Sequence, residues 1–289
     1  MQLSRRDFIK LSTPALCLPA IFGVLPLGKS PAENQEAAST KNGVKAILYD
    51  ASKCVGCHYC ETACWTENDI SFTLVNIEEA HTSGTTELFF WKSQCMHCTE
   101  ATCVKVCPTG ALSQHELGFV TYDKDKCSGC GYCAEFCPFH VPHLSGNKLT
   151  GIQKMDKCDF CAKRVANNQQ PACVDACPEN ALTFGDCDQL LEKGRQRVEV
   201  LKGTYPDARL YGEDELGGLH LISILPQPAS FYSLPEDPQV PLAATVWQDV
   251  TKPIGFVLGG LTTLVLLVNY VVARANIKAG KEEQDGKRG

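Results

Sequence analysis

Four groups of cysteines restrict what this chain can fold into more than any other feature of its sequence. The chain has 289 residues and 18 cysteines, and all except Cys17 and Cys187 fall into groups of four. In chain order the groups are Cys54, Cys57, Cys60 and Cys64; Cys95, Cys98, Cys103 and Cys107; Cys127, Cys130, Cys133 and Cys137; and Cys158, Cys161, Cys173 and Cys177. A cofactor therefore organises this region.

The spacing of the groups indicates which cofactor is bound. The first and third groups have the pattern C-x2-C-x2-C-x3-C, and a proline follows Cys107, Cys137 and Cys177. In bacterial ferredoxins three thiolates of such a run bind one 4Fe-4S cube and the fourth binds a neighbouring cube. Thiolate is also a soft, negative ligand that suits iron. Sixteen cysteines therefore predict four 4Fe-4S clusters.

Other cysteine chemistries fit the pattern less well. A disulfide framework is difficult to build from cysteines so closely repeated. Zinc sites use pairs of C-x2-C, which would leave the third cysteine of each triplet without a role. Residues 54–58 match the haem-attachment pattern C-x-x-C-H, but haem there would leave Cys60 and Cys64 unused. A membrane-anchored zinc-binding module is kept as the alternative from another class.

The N-terminus resembles an export signal. Arg5 and Arg6 precede the uncharged apolar stretch 11–28, which predicts a twin-arginine signal over residues 1–32. Such signals are typical of proteins that acquire cofactors before export. The polar residues 33–43 are interpreted as a linker.

Residues 44–201 are predicted to form the cluster domain, with short strands at 44–50, 70–77, 86–92, 119–123 and 181–185. A helix with Asp186 or Asp188 as its cap should follow, and Cys187 is interpreted as a packed thiol. Residues 202–252 contain six prolines and one plausible strand at 219–225. This segment is predicted to be an extended arm that follows the domain surface or embraces a partner, with a plain spacer as the alternative.

A membrane anchor is predicted near the C-terminus. Residues 254–273 carry no charge, and at about 1.5 Å per residue they span roughly 30 Å, the thickness of the hydrocarbon core of a bilayer. We assign the transmembrane helix to 253–274. The basic tail 275–289 should be cytoplasmic, which places the cluster domain on the periplasmic side of the inner membrane in a single-pass topology.

Composition restricts the function further. Lys+Arg 27 against Asp+Glu 33 gives a net charge of -6, and the globular part lacks a basic cluster that could follow a phosphate backbone. Nucleic acid is therefore not expected as a partner. The sequence contains no recognisable catalytic constellation, so the chain is not expected to be an enzyme on its own.

From residue 46 to 274 the chain resembles the four-cluster, ferredoxin-like electron-transfer subunits of membrane-bound molybdopterin oxidoreductases and related hydrogenases. The motif at 235–238, Trp247 and the entry into one C-terminal helix resemble the β subunit of respiratory formate dehydrogenase. The chain's own twin-arginine signal is more like the anchored iron-sulfur subunit of a nickel-iron hydrogenase. The first group also departs from the pattern, because Trp65 follows Cys64 where the other groups have proline.

This resemblance implies an α+β fold of two interleaved ferredoxin-like modules, with 44–94 and 138–201 forming one module and 95–137 inserted as the other. It also implies a nested assignment of the ligands. The four implied sets are set A (Cys54, Cys57, Cys60 and Cys177), set B (Cys64, Cys158, Cys161 and Cys173), set C (Cys95, Cys98, Cys103 and Cys137) and set D (Cys107, Cys127, Cys130 and Cys133). Sequential pairing, with Cys64 completing the cube of the second group, stays open on spacing alone.

The expected function is therefore electron transfer through four 4Fe-4S clusters. The resemblance implies a molybdopterin-dependent catalytic subunit, formate dehydrogenase first, as the partner at one end. A cytochrome b in the membrane, and through it the quinone pool, is implied at the other end, with lipid around the anchor helix. A nickel-iron hydrogenase is the alternative catalytic partner.

Overall fold

A computed structural model describes residues 43–82, 85–147 and 152–285. The predicted signal over 1–32 lies outside the described residues, as do all of the linker except Gly43 and the last four residues of the tail.

A four-stranded sheet forms the centre of the domain. Its strands are β1 (Lys45–Asp50), β8 (Leu182–Asp186), β9 (Arg209–Tyr211) and β10 (Leu221–Leu225), in the order β8-β1-β10-β9. β1 runs parallel to β10 and antiparallel to β8. Every residue of β10 is buried, as expected for a strand covered on both faces.

One face of the sheet packs on helix α6 (Cys187–Leu201). Leu190, Leu191, Val198 and Leu201 lie on the buried side of the helix against Leu48 and its neighbours in the sheet. This confirms the predicted helix and its apolar face. Asp186 occupies the N-cap position but makes no capping hydrogen bond, because its carboxylate instead accepts from Lys45 Nζ at 2.6 Å. Cys187 is buried in this interface.

The opposite face of the sheet covers the cysteine region. Ile47, Tyr49 and Leu221 point into a core that also contains aromatic rings. Phe119 and Phe160 stack there with ring centroids 4.8 Å apart. The sheet thus separates an ordinary helix-packing core from a core built around the cysteine loops.

Antiparallel hairpins and short helices connect the cysteine groups. The hairpins are β2 (Leu74–Thr82) with β3 (Thr85–Ser93), β4 (Leu112–Gln114) with β5 (Val120–Tyr122), and β6 (His143–Asn147) with β7 (Ile152–Asp156). The helices are α1 (Tyr59–Asn68), α2 (Thr102–Lys105), α3 (Tyr132–Glu135), α4 (Ala162–Ala166) and α5 (Ala172–Asp175). Helix α1 packs against α5, and α2 packs against α3.

The predicted strands form close to their expected bounds, with one difference. The strand expected over 70–77 begins only at Leu74. Phe72 N–H donates to Cys64 Sγ at 3.3 Å, and Ser71 Oγ donates to the Thr73 carbonyl at 2.7 Å. The Phe72 amide is therefore used at the cysteine site, and strand pairing begins only at Leu74.

The segment predicted to be an extended arm is partly built into the domain. β9 and β10 complete the central sheet, and Tyr211 and Leu225 are fully buried. Tyr211 OH donates to the Pro235 carbonyl at 2.8 Å, and Arg209 pairs with Glu236 at 2.6 Å. The proline-rich stretch after β10 therefore folds back onto β9 instead of extending away. Sequence could not show this, because the partner of β10 is β1, more than 170 residues earlier in the chain.

The C-terminal region is helical from Leu242 onward. Helix α7 (Leu242–Val246) passes through one π-helical segment, Trp247–Thr251, into α8 (Lys252–Asp285). The wide turn lies just before Pro253, whose ring clashes with the carbonyl four residues earlier in a regular α-helix. The helix therefore begins before Pro253, whereas the sequence predicted that it would begin at Pro253. In the described part of the chain, Leu242–Ala275 is a helix long and apolar enough to cross a membrane, and its apolar stretch is not covered by other residues.

Candidate functional site

The cysteine loops share one backbone feature. In each group the residue before the second cysteine has a positive φ, namely Gly56 (68°), His97 (50°), Gly129 (71°) and Phe160 (66°). This left-handed conformation is uncommon outside glycine. At two of these positions the turn aims a backbone amide at sulfur, because Gly129 N–H donates to Cys127 Sγ and Phe160 N–H to Cys158 Sγ, each at 3.4 Å.

A second shared turn follows the last cysteine of three groups. Gly110, His140 and Asn180 lie three residues after Cys107, Cys137 and Cys177 and also have positive φ. Each of these groups has the proline that prevents a helix from continuing.

The first group differs because Trp65 replaces that proline. Helix α1 runs past Cys64 as far as Asn68 and ends at Asp69 in the left-handed conformation. Asn68 Nδ2 lies 3.7 Å from Cys64 Sγ. The departure seen in the sequence thus lengthens a helix and leaves the Cys64 thiol buried.

Two cavities have the cysteines of sets A and D in their walls. One is lined by Cys54, Cys57, Cys60 and Cys177 together with Lys92 and other residues. The other is lined by all four cysteines of set D. In each of these two sets, three cysteines come from one group and the remaining one comes from another group. Cysteines distant in sequence therefore meet at one cavity.

The cysteines of sets B and C are also neighbours. Burial, with smaller contributions from Cys173 and Cys64, raises the pKa of the Cys161 thiol to about 12. Burial likewise raises the pKa of Cys98, with added effects from Cys95, Cys103 and Cys137. A buried thiolate needs a compensating positive charge, which iron supplies when it displaces the thiol proton.

Cysteines of different sets also lie near one another. After burial, which is the larger effect, Cys173 of set B raises the pKa of Cys60 in set A. Cys95 of set C acts in the same way on Cys158 of set B, and Cys133 of set D on Cys103 of set C. These relations connect set A with set B, set B with set C, and set C with set D.

Buried polar atoms near the cysteines fit an iron-sulfur cofactor. Among the described residues, Gln94 Nε2, His97 Nε2 and Thr102 Oγ1 are buried without a hydrogen-bond partner. His97 accepts a hydrogen bond at Nδ1 from Val120 N–H at 3.1 Å, which leaves Nε2 as its donor. Each of the three directly precedes a cysteine of set C in the sequence, and donors to cluster sulfurs would satisfy them.

The arrangement does not fit a single metal ion. Zinc needs ligands about 2.3 Å from one atom, and within residues 43–82, 85–147 and 152–285 no group of three or more His, Cys, Asp or Glu side chains is arranged to hold one ion. Each of sets A and D instead brings four separate thiols to the wall of one cavity. The residues therefore fit a multi-atom cofactor.

Comparison with known proteins agrees with this geometry. Two family descriptions, both "4Fe-4S dicluster domain", match residues 53–112 and 86–187. The formate dehydrogenase iron-sulfur subunit of Haemophilus influenzae is 34% identical over 264 residues, which cover 82% of this chain and 83% of that protein. The hydrogenase-2 operon protein HybA of Escherichia coli O157:H7 is 31% identical over 320 residues, covering 91% and 95%.

The chain belongs to the family of formate dehydrogenase iron-sulfur subunits and their relatives. A third relative, the thiosulfate reductase electron transfer subunit PhsB of Salmonella typhi, is 44% identical over 150 residues, which cover 50% of this chain and 76% of PhsB. The resemblance to formate dehydrogenase subunits predicted from sequence is thus confirmed. This iron-sulfur subunit binds 4Fe-4S clusters and transfers electrons, and its relatives are not catalytic subunits.

Sequence reasoning missed the buried polar residues around the cysteines. Lys92, Gln94, His97 and Lys157 are each at most 2% exposed. Three of them lie within three residues of a cysteine group, and Lys157 directly precedes Cys158. Proximity to a motif was the available signal, but it does not tell whether a side chain points toward the cofactor or toward solvent.

Proposed function

We propose that this iron-sulfur subunit carries electrons through four 4Fe-4S clusters, held by sets A to D, between a catalytic partner and a membrane quinone pool. When bound, each cube takes up and releases one electron. The observation that carries the proposal is the series of neighbouring cysteine sets from A to D, which connects an exposed apolar surface at set A with the apolar C-terminal helix near set D.

The surface at set A suits a protein partner. Val55 lines the cavity of set A and is 55% exposed. Tyr59 and Trp65 on α1 are 58% and 59% exposed. Exposed aromatic residues are enriched in protein interfaces. We assign this surface to the catalytic subunit.

Set D lies beside the proposed membrane anchor. Tyr132, two residues from Cys130 of set D, contacts Trp247 with ring centroids 5.7 Å apart. Trp247 leads into α8, and residues 254–273 form the uncharged span. We propose that this helix crosses the inner membrane, that the cluster domain lies on the periplasmic side after twin-arginine export, and that a cytochrome b accepts or supplies electrons near set D.

The nested assignment of ligands is part of the proposal. It is supported by the cavities of sets A and D, by the antiparallel pairing of β1 with β8, and by the packing of α1 on α5 and of α2 on α3. The division into a module of 44–94 with 138–201 and an inserted module of 95–137 belongs to the same proposal.

Iron and acid-labile sulfide analysis of the anaerobically purified protein tests the cofactor. Four cubes require about 16 iron atoms per chain. A preparation dominated by zinc or by covalent haem would contradict the proposal.

Paramagnetic spectra of ligand variants test the nesting. Cys64→Ser and Cys161→Ser should perturb the same signal, because both residues belong to set B. Cys98→Ser should perturb a different one. If Cys64→Ser matches Cys98→Ser instead, sequential pairing is correct and the nested scheme is wrong.

Formate dehydrogenase is the proposed catalytic partner, and a hydrogenase is the second candidate. The alignment with HybA covers larger shares of both proteins than the alignment with the formate dehydrogenase subunit. The hydrogenase is therefore kept as a candidate partner. Detergent extraction followed by copurification decides between them. Dye reduction by formate in the purified complex supports the first partner, and dye reduction by hydrogen supports the second.

A further inference from the structure

Lys92 is a buried cation beside the cysteines of set A. It lies on β3 opposite Val75 and is 1% exposed. Its side chain lines the same cavity as Cys54, Cys60 and the other cysteines of that set. A lysine is rarely buried this completely unless it is paired.

The protein offers Lys92 little compensation for its charge. Nζ donates to Gln94 Oε1, which is a neutral amide. Among the described residues, no Asp or Glu forms an ion pair with it. An isolated buried ammonium is strongly unfavourable, so a negative group at the cavity is required.

One carboxylate, Glu179, lines the same cavity, but among the described residues it forms no ion pair with Lys92. The four thiols of set A share that cavity with Lys92. A cube held by set A would therefore lie beside the ammonium.

A second buried lysine provides a contrast. Lys157 donates from Nζ to the Val120 carbonyl at 2.9 Å and to the Cys158 carbonyl at 2.6 Å. These bonds tie β5 to the loop of the fourth group, which gives Lys157 a structural role. Lys92 makes no comparable tie among the described residues.

We propose that Lys92 is a potential-setting residue, whose positive charge raises the reduction potential of the cube at set A. Adding one electron to a cube makes it more negative by one charge, and a buried cation stabilises that product. Local charge and hydrogen bonding are established determinants of cluster potential. The proposal rests on the proposed ligand sets. Lys92 would thereby stabilise the reduced form of the cube nearest the catalytic partner.

Redox titration of the full-length protein, followed by paramagnetic spectroscopy, tests this. Lys92→Met should lower the midpoint potential of at least one signal by an amount equivalent to a tenfold change in the reduction equilibrium, about 59 mV for a one-electron couple. Lys92→Arg keeps the charge and should shift it much less. Lys202→Met is the matched control, because it removes the same charge from an exposed position on the far side of the sheet.

Iron content separates the two proposals. About 16 iron atoms per chain in the wild type supports four cubes, independently of the measured potentials. A lower count contradicts the proposed function but does not contradict the role of Lys92 beside the remaining cubes. Equal midpoint potentials in Lys92→Met and wild type overturn the proposal for Lys92, as does an equal shift in Lys202→Met.

If Lys92→Met does not assemble its cubes, Gln94→Glu decides. This variant is nearly isosteric and places a carboxylate at the atom that accepts the hydrogen bond from Nζ. It should lower the same potential by neutralising the ammonium. An unchanged potential in Gln94→Glu overturns the proposal.

Discussion

Two glycines beside set D provide a controlled test of how closely the cysteine loops are packed. Gly129 has a φ of +71°, and a Cβ added there would overlap the carbonyl oxygen of Gln153 on β7. Gly110 has a nearly equal φ of +66°, but an added Cβ would meet nothing within 4 Å. Thr109 and Ala111 line the same cavity as Gly129. The two positions therefore share backbone strain and differ in steric room.

The expected costs follow from that difference. Alanine in a left-handed conformation costs about 1–2 kcal/mol, and this applies to both Gly110→Ala and Gly129→Ala. Gly129→Ala must also displace backbone at β7, which adds about 1–3 kcal/mol by analogy with overpacked sites. At about 1.4 kcal/mol per factor of ten, the excess corresponds to a local opening that is about 5- to 150-fold more populated. The loop that contains Gly129, and that the added Cβ would displace, also carries Cys127 and Cys130.

Iron release to a chelator is the suitable assay, because unfolding of a protein with bound metal does not follow a two-state equilibrium. We expect Gly129→Ala to lose about four of its roughly 16 iron atoms first, and faster than Gly110→Ala, which carries only the backbone strain that the two variants share. Equal rates of loss from the two variants would show that the approach of Gln153 does not restrict the loop, and the reasoning from steric room would be wrong.

Three further outcomes are expected. Truncation after Gln248 should convert the protein from an integral form to one that is released by carbonate, because residues 254–273 are then missing; retention of the truncated chain in washed membranes, without its partners, would exclude that helix as the anchor. Arg5→Lys combined with Arg6→Lys should leave the clusters intact but retain the protein in the cytoplasm, as fractionation would reveal, since the arginine pair is a targeting signal; normal export would contradict the predicted signal. Leu221→Ala, at a fully buried position of β10, should lower the denaturant midpoint, because such a core truncation costs about 2–5 kcal/mol, whereas Leu242→Ala at a 79% exposed position should leave the midpoint nearly unchanged; midpoints that fall equally would place β10 outside the core.

The sequence alone determined the chemistry of this protein. The spacing of Cys54, Cys57, Cys60 and Cys64, repeated at Cys127 to Cys137, specifies thiolate triplets on tight loops, and few cofactors other than iron-sulfur cubes use such triplets. Local patterns also predicted α6 and the strands β1, β3, β5, β8 and β10 near their observed bounds, whereas β4, β6, β7 and β9 were not predicted. These features depend on residues close together in the chain, so they can be inferred from periodicity and motif spacing.

Tertiary structure decided how distant segments meet. β10 lies in the middle of the sheet because it pairs with β1, a contact that no local pattern in residues 202–252 indicates. The cavity of set A combines Cys177 with cysteines more than 100 residues earlier. Lys92 is buried beside that cavity, although in sequence it is one of 27 basic residues. Strand pairing and side-chain burial depend on packing between segments that are distant in the sequence. Local patterns of charge and motif spacing do not contain that information.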